Sequence, residues 1–583
     1  MTEAPGGPVR LAVLSSSTTQ LLTDALGKEL GACGWIIETW QSGFNQYRQD
    51  IADPASGLFL QRPHIILLHL DGEDLFAPYL TNPFRNGPEA RREASRNAAK
   101  ELENCLKVIR SRLPEALVVL NTICLPPIHA LTGLEHHSPL GITDLAWHYN
   151  SELTRIASEQ PNVLVNDVAA LVTQLGYTRW FDPRLWHLAR CRLSASATKA
   201  LARSLAALLR AWKGDVRKCL VLDLDNILWG GIIGEDRMEG IVLGEEGPGL
   251  AFVEFQRELA NLARKGILLA ICSKNNEEDA LEVLRHHPSM RLQLESFAAR
   301  RINWRDKPAN LCELAAELNL GLGSFVFIDD SPIERGLMRE ALPEVYVPDW
   351  PKDPSSFRLT LLDLAWEQFG RISLTEEDRS RTAMYQAEID RRELARSSST
   401  LEGYYRSLQM VAQIGFADQF TTPRIVQLIQ KTNQFNLTTR RYTEAEVRKM
   451  MISPDVLILW LRLSDRFSDS GIVGVLITKQ CSANVWTIDT MLLSCRVIGR
   501  TVENAFLGFA CQILKGRGAQ ELIGEYIPTK KNVPAANFYR DLGFGLSEGQ
   551  EGASSLWQVD LREKQIQIPE WITVKNAGDK PHA

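Results

Sequence analysis

The chain has 583 residues, a formal net charge of −6 and 23% charged residues. That length allows about three or four domains with separate cores, and the absence of a basic excess argues against nucleic acid and anionic membranes as partners. The ten cysteines are scattered without a Cys-x-x-Cys pair, and neither a signal peptide nor an apolar run of transmembrane length is apparent. These features predict a reduced, cytoplasmic protein.

Apolar segments alternate with helical stretches over residues 1–215. The segments at 9–14, 64–70, 116–121 and 163–165 have the length and composition of buried strands. Strands that alternate with helices in this way form a parallel sheet covered by helices. We therefore expect the first domain to be an α/β domain.

A further apolar strand precedes Asp223 and Asp225, which places both acids at the carboxyl end of a parallel sheet. Open α/β folds bind their ligands at that end. Strand alternation predicts that the two side chains share a face, where they would repel each other unless a cation such as Mg²⁺ lay between them. One carboxylate could then attack phosphorus while the other exchanges a proton with the leaving group.

Later segments carry the other groups that such chemistry needs. A second buried strand ends in the hydroxyl of Ser273, Lys307 begins a helical stretch, and a third strand ends in Asp329 and Asp330. A hydroxyl and an ammonium group can bind phosphoryl oxygens, and a second acid pair can complete a metal site. Any one of these sites alone could be a turn residue or a helix N-cap. Four sites in this order favour a phosphoryl-handling centre.

With this order of acid pair, hydroxyl, lysine and acid pair, residues 216 to about 350 resemble the haloacid dehalogenase (HAD) superfamily, specifically its FkbH-like branch in subfamily IIIC. The resemblance implies a HAD-like Rossmannoid parallel sheet over 216–365, with Asp223 as nucleophile and Asp225 as general acid/base. It further implies phosphate and substrate contacts at Ser273, Asn275 and Lys307, and Mg²⁺ ligands at Asp223, Asp225, Asp329 and Asp330.

The segment 229–236 resembles the short flap that follows the first strand in these proteins. No large cap insertion is apparent between the flap and Ser273. An uncapped site could admit a bulky or protein-tethered substrate.

Two segments of the first domain, 42–48 and 182–187, resemble the amino-terminal region of longer FkbH-like proteins, whose fold is similar to SGNH hydrolases and to flavodoxin-like sheets. An esterase triad could combine a serine among Ser15–Ser17 with Asp182 and His187. However, Gly-Asp-Ser is missing from the first strand, and Asp-x-x-His has become Asp-x-x-x-x-His. We expect a degenerate domain that binds or positions a partner rather than a working hydrolase.

The charged composition of 366–408 predicts a helical linker. The motif at 534–544, a helix that runs into a glycine stop, resembles the closing segment of GNAT acyltransferases. This resemblance implies a GNAT-like α+β domain over 409–565 that handles an acyl or pantetheine group, and leaves a tail at 566–583.

A strand at 486–493 leads into 496–501, which approximates the pyrophosphate-binding loop of the GNAT family. Such a loop directs backbone N–H groups and a helix N-terminus at phosphate oxygens. Arg500 and Thr501 stand where small residues usually let the backbone approach the pyrophosphate. A pantetheine arm on an acyl carrier protein presents the same thiol without the nucleotide, so the ligand could be coenzyme A or equally such an arm.

Two further segments, 431–442 and 494–500, resemble the carboxy-terminal half of FkbH-like proteins. The first is dense in amides, hydroxyls and arginines, which favours a ligand-facing role over a surface turn. Cys495 follows a strand and adjoins Arg496, so it could be a reactive thiol or a buried structural cysteine. The predicted substrate-binding residues of this half are Asn433, Asn436, Arg440, Arg441 and Arg496.

Taken over nearly the whole chain, the resemblance implies an enzyme of polyketide-type biosynthesis that converts 1,3-bisphosphoglycerate into a glyceryl thioester on an acyl carrier protein, with loss of phosphate. Cys495 or the phosphopantetheine arm itself would take the acyl group. Two alternatives stay open: a Mg²⁺-dependent phosphatase for small molecules, and a GNAT-type acyltransferase that uses acyl-coenzyme A. The complete set of acids disfavours a pure scaffold.

Overall fold

The computed structural model describes residues 8–578 except for 85–86, 135–136, 138–140, 161, 373–386, 388–390, 392–393, 396–397, 399, 530–531 and 551–552. The chain divides into two compact units, Met1–Arg217 with Leu359–Ser373 and Lys218–Arg358 with Leu374–Ala583. Within the described ranges, no helix combines the length and the apolar character needed to cross a bilayer.

The first unit is built on one sheet, called the first sheet. Its strands are β1 (Val9–Ser15), β2 (Ile37–Gln41), β3 (Ile65–His69), β4 (Leu117–Asn121) and β5 (Val163–Asn166). All neighbours are parallel, in the order β2-β1-β3-β4-β5. Alternate residues of β1 enter different cores, Leu11 and Val13 on one face and Ala12 and Leu14 on the other. This order is that of a flavodoxin-like sheet, as expected.

Helices cover both faces of the first sheet. They are α1 (Gln20–Ala32), α2 (Tyr47–Ala52), α3 (Gly57–Leu60), α4 (Gly72–Leu75), α5 (Ala77–Thr81), α6 (Pro88–Arg112), α7 (Ile142–Glu159), α8 (Val168–Leu175), α9 (Tyr177–Trp180), α10 (Pro183–Ala189) and α11 (Ala195–Lys213).

The second unit begins with a four-stranded parallel sheet, called the central sheet. Its strands are β6 (Cys219–Leu222), β7 (Leu268–Ser273), β8 (Phe297–Ile302) and β9 (Phe325–Ile328), in the order β8-β7-β6-β9. Every residue of β6, β7 and β9 is buried. The helices are α12 (Ile233–Gly240), α13 (Gly247–Arg264), α14 (Glu277–His286), α15 (Lys307–Glu317) and α16 (Pro332–Ala341).

A short flap over 229–242 follows β6. Gly230 and Val242 exchange backbone hydrogen bonds of 3.0 and 2.8 Å, and α12 lies between them. Only this flap and α13 separate β6 from β7, so the sheet has no large cap insertion at this point, as predicted.

Residues 359–365, predicted to belong with the central sheet, belong to the first unit instead. They lie in α17 (Phe357–Phe369). Gln174 Nε2 donates to Asp363 Oδ1 at 3.2 Å, and Arg203 forms an ion pair with Glu367. Side chains that pair with the first unit therefore end the central-sheet part at Arg358, earlier than the predicted 365.

The rest of the second unit forms a mixed sheet, called the carboxy-terminal sheet. Its strands are β10 (Met410–Phe416), β11 (Phe435–Asn436), β12 (Val456–Ser464), β13 (Asp469–Ser482), β14 (Val485–Leu493), β15 (Glu521–Tyr526), β16 (Gly545–Gly549), β17 (Ser555–Asp560) and β18 (Ile572–Asn576). The order is β16-β17-β15-β14-β13-β12-β10-β18, and β11 pairs with β14. The helices are α18 (Leu401–Leu408), α19 (Thr422–Lys431), α20 (Glu444–Met451), α21 (Val502–Gly516) and α22 (Phe538–Asp541).

Residues 566–578 are part of the fold, which corrects the predicted tail over these residues. The strand β18 pairs in parallel with β10, and the ring of Trp571 stacks on Tyr405 with centroids 5.5 Å apart. Most of the predicted linker, between 373 and 399, lies outside the described residues.

Candidate active site

Three aspartates meet at the carboxyl edge of the central sheet. Asp223 follows β6, while Asp329 and Asp330 follow the adjacent strand β9. A carboxylate oxygen from each lies within 4.8 Å of the others, and we call these residues the carboxylate cluster. Asp223 is 7% exposed and Asp329 is fully buried. Hard oxygen donors at this spacing fit the predicted Mg²⁺ ion.

Lys307 supplies a buried positive charge to the carboxylate cluster. Its Nζ donates to Asp223 Oδ2 at 2.8 Å and to Asp329 Oδ2 at 2.5 Å. Asp306 caps α15 and so fixes Lys307 at the first helical position. Burial alone would lower the pKa of Lys307, but the two carboxylates more than compensate and raise it, so the ammonium group stays charged.

Two acids of the carboxylate cluster, Asp329 and Asp330, are destabilised in their charged forms. Burial and then the charge of Asp223 raise the pKa of Asp329 to about 6, although Lys307 opposes the shift. The same two causes raise the pKa of Asp330. Carboxylates in such a state gain free energy when a cation binds between them.

Neighbouring donors orient the carboxylate cluster. They are Leu224 N to Asp223 at 2.7 Å, Ser331 N to Asp329 at 2.9 Å, Asn226 Nδ2 to Asp330 at 3.3 Å, and Arg335 to the carbonyl oxygens of Asp329 and Asp330 at 2.6 and 2.8 Å. Sequence reasoning missed Asn226 and Arg335. The one available signal was the residue type at 226, because Asn tolerates the left-handed backbone found there, with φ of 55°.

The side chain of Asp225 lies outside the carboxylate cluster, which corrects its predicted role as a metal ligand. Trp229 Nε1 and Ile233 N donate to its Oδ1 at 2.9 and 3.2 Å, and Asn275 Nδ2 donates to its Oδ2 at 3.0 Å. Strand alternation does not reach Asp225 because β6 ends at Leu222. Its position still suits proton exchange beside the nucleophile, so the general acid/base role stays a prediction.

Asn275 connects Asp225 to Ser273, the last residue of β7. Ser273 is 1% exposed, and its hydroxyl accepts from Asn275 Nδ2 at 3.2 Å. The structure therefore places the residues predicted for the central-sheet site in two groups at its carboxyl edge: Asp223, Lys307, Asp329 and Asp330 in one, and Asp225, Ser273 and Asn275 in the other.

The esterase triad considered for the first sheet is not assembled. Asp182 serves as the N-cap of α10, and His187 is exposed on that helix. Ser15 Oγ donates to His69 O at 2.8 Å. In the part of the chain that the structure describes, no hydrogen bond joins Ser15–Ser17 to Asp182 or His187.

The polar groups at the carboxyl edge of the first sheet pair with one another instead. His69 Nδ1 accepts from Asn121 Nδ2 at 2.8 Å, Asn166 donates to Asn121 at 3.0 Å, and Ser204 donates to Asn166 at 2.6 Å. Burial lowers the pKa of His69 to about 4, so the ring is neutral. Nearby, Arg192 forms ion pairs of 3.0, 3.2 and 2.6 Å with Asp71, Glu73 and Asp74.

Polar side chains of 431–442 bind groups of the chain itself. Asn436 is fully buried, and its Oδ1 accepts from Thr439 N at 2.9 Å. Arg440 forms ion pairs of 3.0 and 2.6 Å with Asp489 and Glu525. Arg441 donates to the carbonyl oxygens of Ile429 and Thr432 and to Asn433 Oδ1. These bonds account for the polarity of the segment, and its role in substrate binding stays a prediction.

The predicted thiol is not described. Cys495 begins a 3₁₀ turn, but its side chain lies outside the described residues. Its neighbour Arg496 donates from Nε to Ser494 Oγ at 3.2 Å. The proposed acyl-carrying role of Cys495 therefore stays a prediction.

The chain fills a gap between two strands of the carboxy-terminal sheet. The parallel pairing of β14 and β15 ends at Ile488 and Gly524. Beyond it β11 pairs with β14, Leu437 N donates to Met491 O at 3.1 Å, and Ile527 N donates to Leu437 O at 2.8 Å. The backbone groups named here, at the gap between β14 and β15, are therefore paired within the chain rather than open to a ligand.

The loop at 496–501 is also held by the chain. The pairs are Gly499 O with Tyr405 Oη at 2.7 Å, Arg500 with Asp465 at 3.3 Å and Thr501 Oγ1 with Trp571 Nε1 at 2.9 Å. A carboxyl group, that of Glu503, lies in the first turn of α21, and burial raises its pKa. An acid at a helix N-terminus takes the place that a phosphate would need.

Comparisons with known proteins bear on the fold. No family model matches the chain, and no curated protein matches it. A solved structure of the N-terminal part of the protein BF1531 from Bacteroides fragilis, which contains a phosphatase domain complexed with Mg, is 29% identical with a TM-score of 0.56. The match covers 61% of this chain and 93% of that chain.

Other solved structures match a smaller share of the chain. The ribosomal-protein-S18-alanine N-acetyltransferase from Escherichia coli is 15% identical, with a TM-score of 0.20 and coverage of 25% of this chain and 90% of that one. The GNAT domain of S. lividans PAT is 13% identical, with a TM-score of 0.21 and coverage of 25% and 89%. The predicted fold class is confirmed at the level of the sheets: the chain is a multidomain α/β protein with two parallel sheets followed by a mixed sheet, and it is similar to a structure that contains a phosphatase domain.

Proposed function

We propose that the protein is a Mg²⁺-dependent HAD-type phosphatase in which Asp223 is the nucleophile. The observation that carries this proposal is the carboxylate cluster, in which buried Asp223 and Asp329 share Lys307 while Asp330 lies alongside. Like charges that converge in a buried site cost free energy, which functional sites tolerate and structural sites rarely do. The similarity to a structure that contains a Mg-bound phosphatase domain supports the same conclusion.

The residues divide the chemistry between them. Asp223 attacks the phosphorus of a phosphate monoester, Lys307 and Ser273 bind the phosphoryl oxygens, and Asp225 protonates the departing oxygen. A Mg²⁺ ion held by Asp223, Asp329 and Asp330 would neutralise negative charge on the phosphoryl group. Asp225 then takes a proton from the water molecule that releases phosphate from Asp223.

We further propose that the substrate is 1,3-bisphosphoglycerate and that the product is a glyceryl thioester on the phosphopantetheine arm of an acyl carrier protein. The acyl phosphate is already activated toward a thiol, so thioester formation releases one phosphate without an oxidant or reductant. The monoester hydrolyses extremely slowly without a catalyst and needs the central-sheet site. The resemblance of 431–442 and 494–500 to FkbH-like proteins and the short flap support this substrate.

Intact-protein mass spectrometry of a carrier protein tests the proposal. After incubation with 1,3-bisphosphoglycerate, the wild-type enzyme should leave a glyceryl group on the carrier. Asp223→Asn should leave a phosphoglyceryl group, which is heavier by one phosphate. The exposed aspartate variant Asp349→Asn serves as the matched control and should behave as the wild type. A fully dephosphorylated product from Asp223→Asn would overturn the assignment.

A phosphatase for free small molecules is the second candidate, because the carboxylate cluster itself contains no group that requires a carrier. Release of the monoester phosphate at equal rates with and without carrier protein would favour it. The acyltransferase that uses acyl-coenzyme A has less support, because the loop at 496–501 is held by the chain and an acid, Glu503, lies in the first turn of the helix that follows.

A further inference from the structure

The carboxyl group of Asp225 is held in one orientation by three N–H donors. Both acceptor positions of Oδ1 are taken, by Trp229 Nε1 at 2.9 Å and by Ile233 N at 3.2 Å. Oδ2 accepts only from Asn275 Nδ2, at 3.0 Å, among the described residues. Because each carboxylate oxygen offers two acceptor positions, Oδ2 keeps one of them open.

The three N–H donors to Asp225 belong to two different segments of the chain. Trp229 and Ile233 belong to the flap over 229–242, which the Gly230–Val242 backbone pair closes. Asn275 lies two residues after β7 and also donates to Ser273 Oγ at 3.2 Å. Trp229 is fully buried and Asn275 is 4% exposed, so neither donor can move aside without disturbing its surroundings.

We propose that Trp229 and Asn275 are positioning residues that make Oδ2 of Asp225 the oxygen that transfers the proton. This proposal rests on the phosphatase function of Asp223. As the bond from Asp223 to phosphorus forms, the bond from phosphorus to the leaving oxygen breaks, and that oxygen keeps the electron pair and takes the proton from Oδ2. Water then attacks phosphorus, gives its proton to Oδ2 and frees Asp223.

A comparison of two leaving groups tests this role. An alkyl phosphate such as 3-phosphoglycerate leaves as a basic alkoxide and needs the proton, whereas p-nitrophenyl phosphate has an acidic leaving group and needs it little. Trp229→Phe keeps an aromatic ring but removes the N–H donor. It should lower kcat for 3-phosphoglycerate about 10- to 100-fold, part of the roughly 10²- to 10⁴-fold that general acid catalysis contributes, and lower kcat for p-nitrophenyl phosphate less than about threefold.

Controls separate positioning from a general structural effect. Asn275→Ala should show the same selective loss and provides a second variant if Trp229→Phe does not fold. In an Asp225→Asn background, Trp229→Phe should cause no further loss with 3-phosphoglycerate, because both changes act on the same proton transfer. Trp460, whose Nε1 donates to Phe416 O at 2.8 Å in the carboxy-terminal sheet, gives the matched control Trp460→Phe, which should leave the ratio of the two rates unchanged.

Equal losses with both substrates, or additive losses in the double variant, would overturn the positioning role while leaving the phosphatase intact. Full activity of Asp223→Asn with 3-phosphoglycerate, or a wild-type enzyme inactive on both esters, would instead reject the proposed function on which the inference rests.

Discussion

The first sheet and the central sheet both gather polar side chains where their parallel strands end, but the outcomes differ. In the first sheet, neutral groups pair in series from His69 to Ser204, and Arg192 is surrounded by three acids. In the central sheet, three acids converge, Lys307 bonds to two of them, and the charges of Asp329 and Asp330 stay partly uncompensated. Polar groups that hydrogen-bond one another make a fold more rigid, whereas like charges that converge form a site that favours an oppositely charged ligand.

Removing one acid at the carboxyl edge of each sheet should give the largest difference in phosphate release between the two sites. Asp329→Asn should lower phosphate release by about 10²- to 10³-fold, the loss typical of one electrostatic contact, because the Mg²⁺ ion that would neutralise the phosphoryl group loses a charged ligand. Asp71→Asn, at the edge of the first sheet, should leave phosphate release within about twofold of the wild type. Steady-state rates measure both, and a loss of similar size in the two variants would remove the functional distinction between the sheets.

Replacing the shared cation tests whether Lys307 holds the carboxylate cluster together. Lys307→Met leaves Asp223 and Asp329 buried without their partner, which should lower the free energy of unfolding by about 3–5 kcal/mol in the absence of divalent cations. Added Mg²⁺ should restore part of the loss. Urea unfolding with and without Mg²⁺ measures the effect, and an unchanged midpoint would contradict the role of Lys307.

Mg²⁺ itself should stabilise the second unit. A ligand present at 100 times its dissociation constant adds about 2.7 kcal/mol to the free energy of unfolding. Thermal unfolding should therefore shift upward with Mg²⁺ in the wild type but not in the double variant Asp329→Asn, Asp330→Asn. A shift of equal size in both proteins would place the cation elsewhere.

The neutral histidine of the first sheet gives a smaller effect that depends on pH. The pKa of folded His69 is about 4, below the ordinary 6.5, so the unfolded chain binds the extra proton. The stabilising contribution is present above pH 6.5 and should fall by about 2 kcal/mol between pH 7 and pH 5. His69→Asn keeps an acceptor for Asn121 and should lose this pH dependence in urea unfolding; the same dependence in both proteins would assign it to other groups.

Buried strands and the acids that follow them could be predicted because their signals are local. Runs such as Leu220–Leu222 are apolar throughout, and parallel pairing then brings their carboxyl ends to one edge. The edge strands β2 and β8 went unnoticed because β2 has no fully buried residue and Arg300 and Arg301 interrupt the buried residues of β8. Their pairing partners, rather than their own composition, make them strands.

Contacts between distant segments could not be predicted from local pattern. Trp229 reaches Asp225 because the chain turns back after Asn226, so strand alternation gave a wrong orientation for that acid. The pairing of β11 in the gap beside β14, and of β18 with β10, joins residues far apart in sequence. Such pairings depend on which strand edges the folded sheet leaves without a hydrogen-bonded neighbour.

The central claim is that Asp223 receives the phosphoryl group. Borohydride reduces an aspartyl phosphate to homoserine, so the enzyme can be reduced during turnover with Mg²⁺ and substrate and then digested for peptide mass spectrometry. The account predicts homoserine at position 223, only in the presence of substrate. Unmodified Asp223 during turnover, or homoserine at another aspartate, would contradict it.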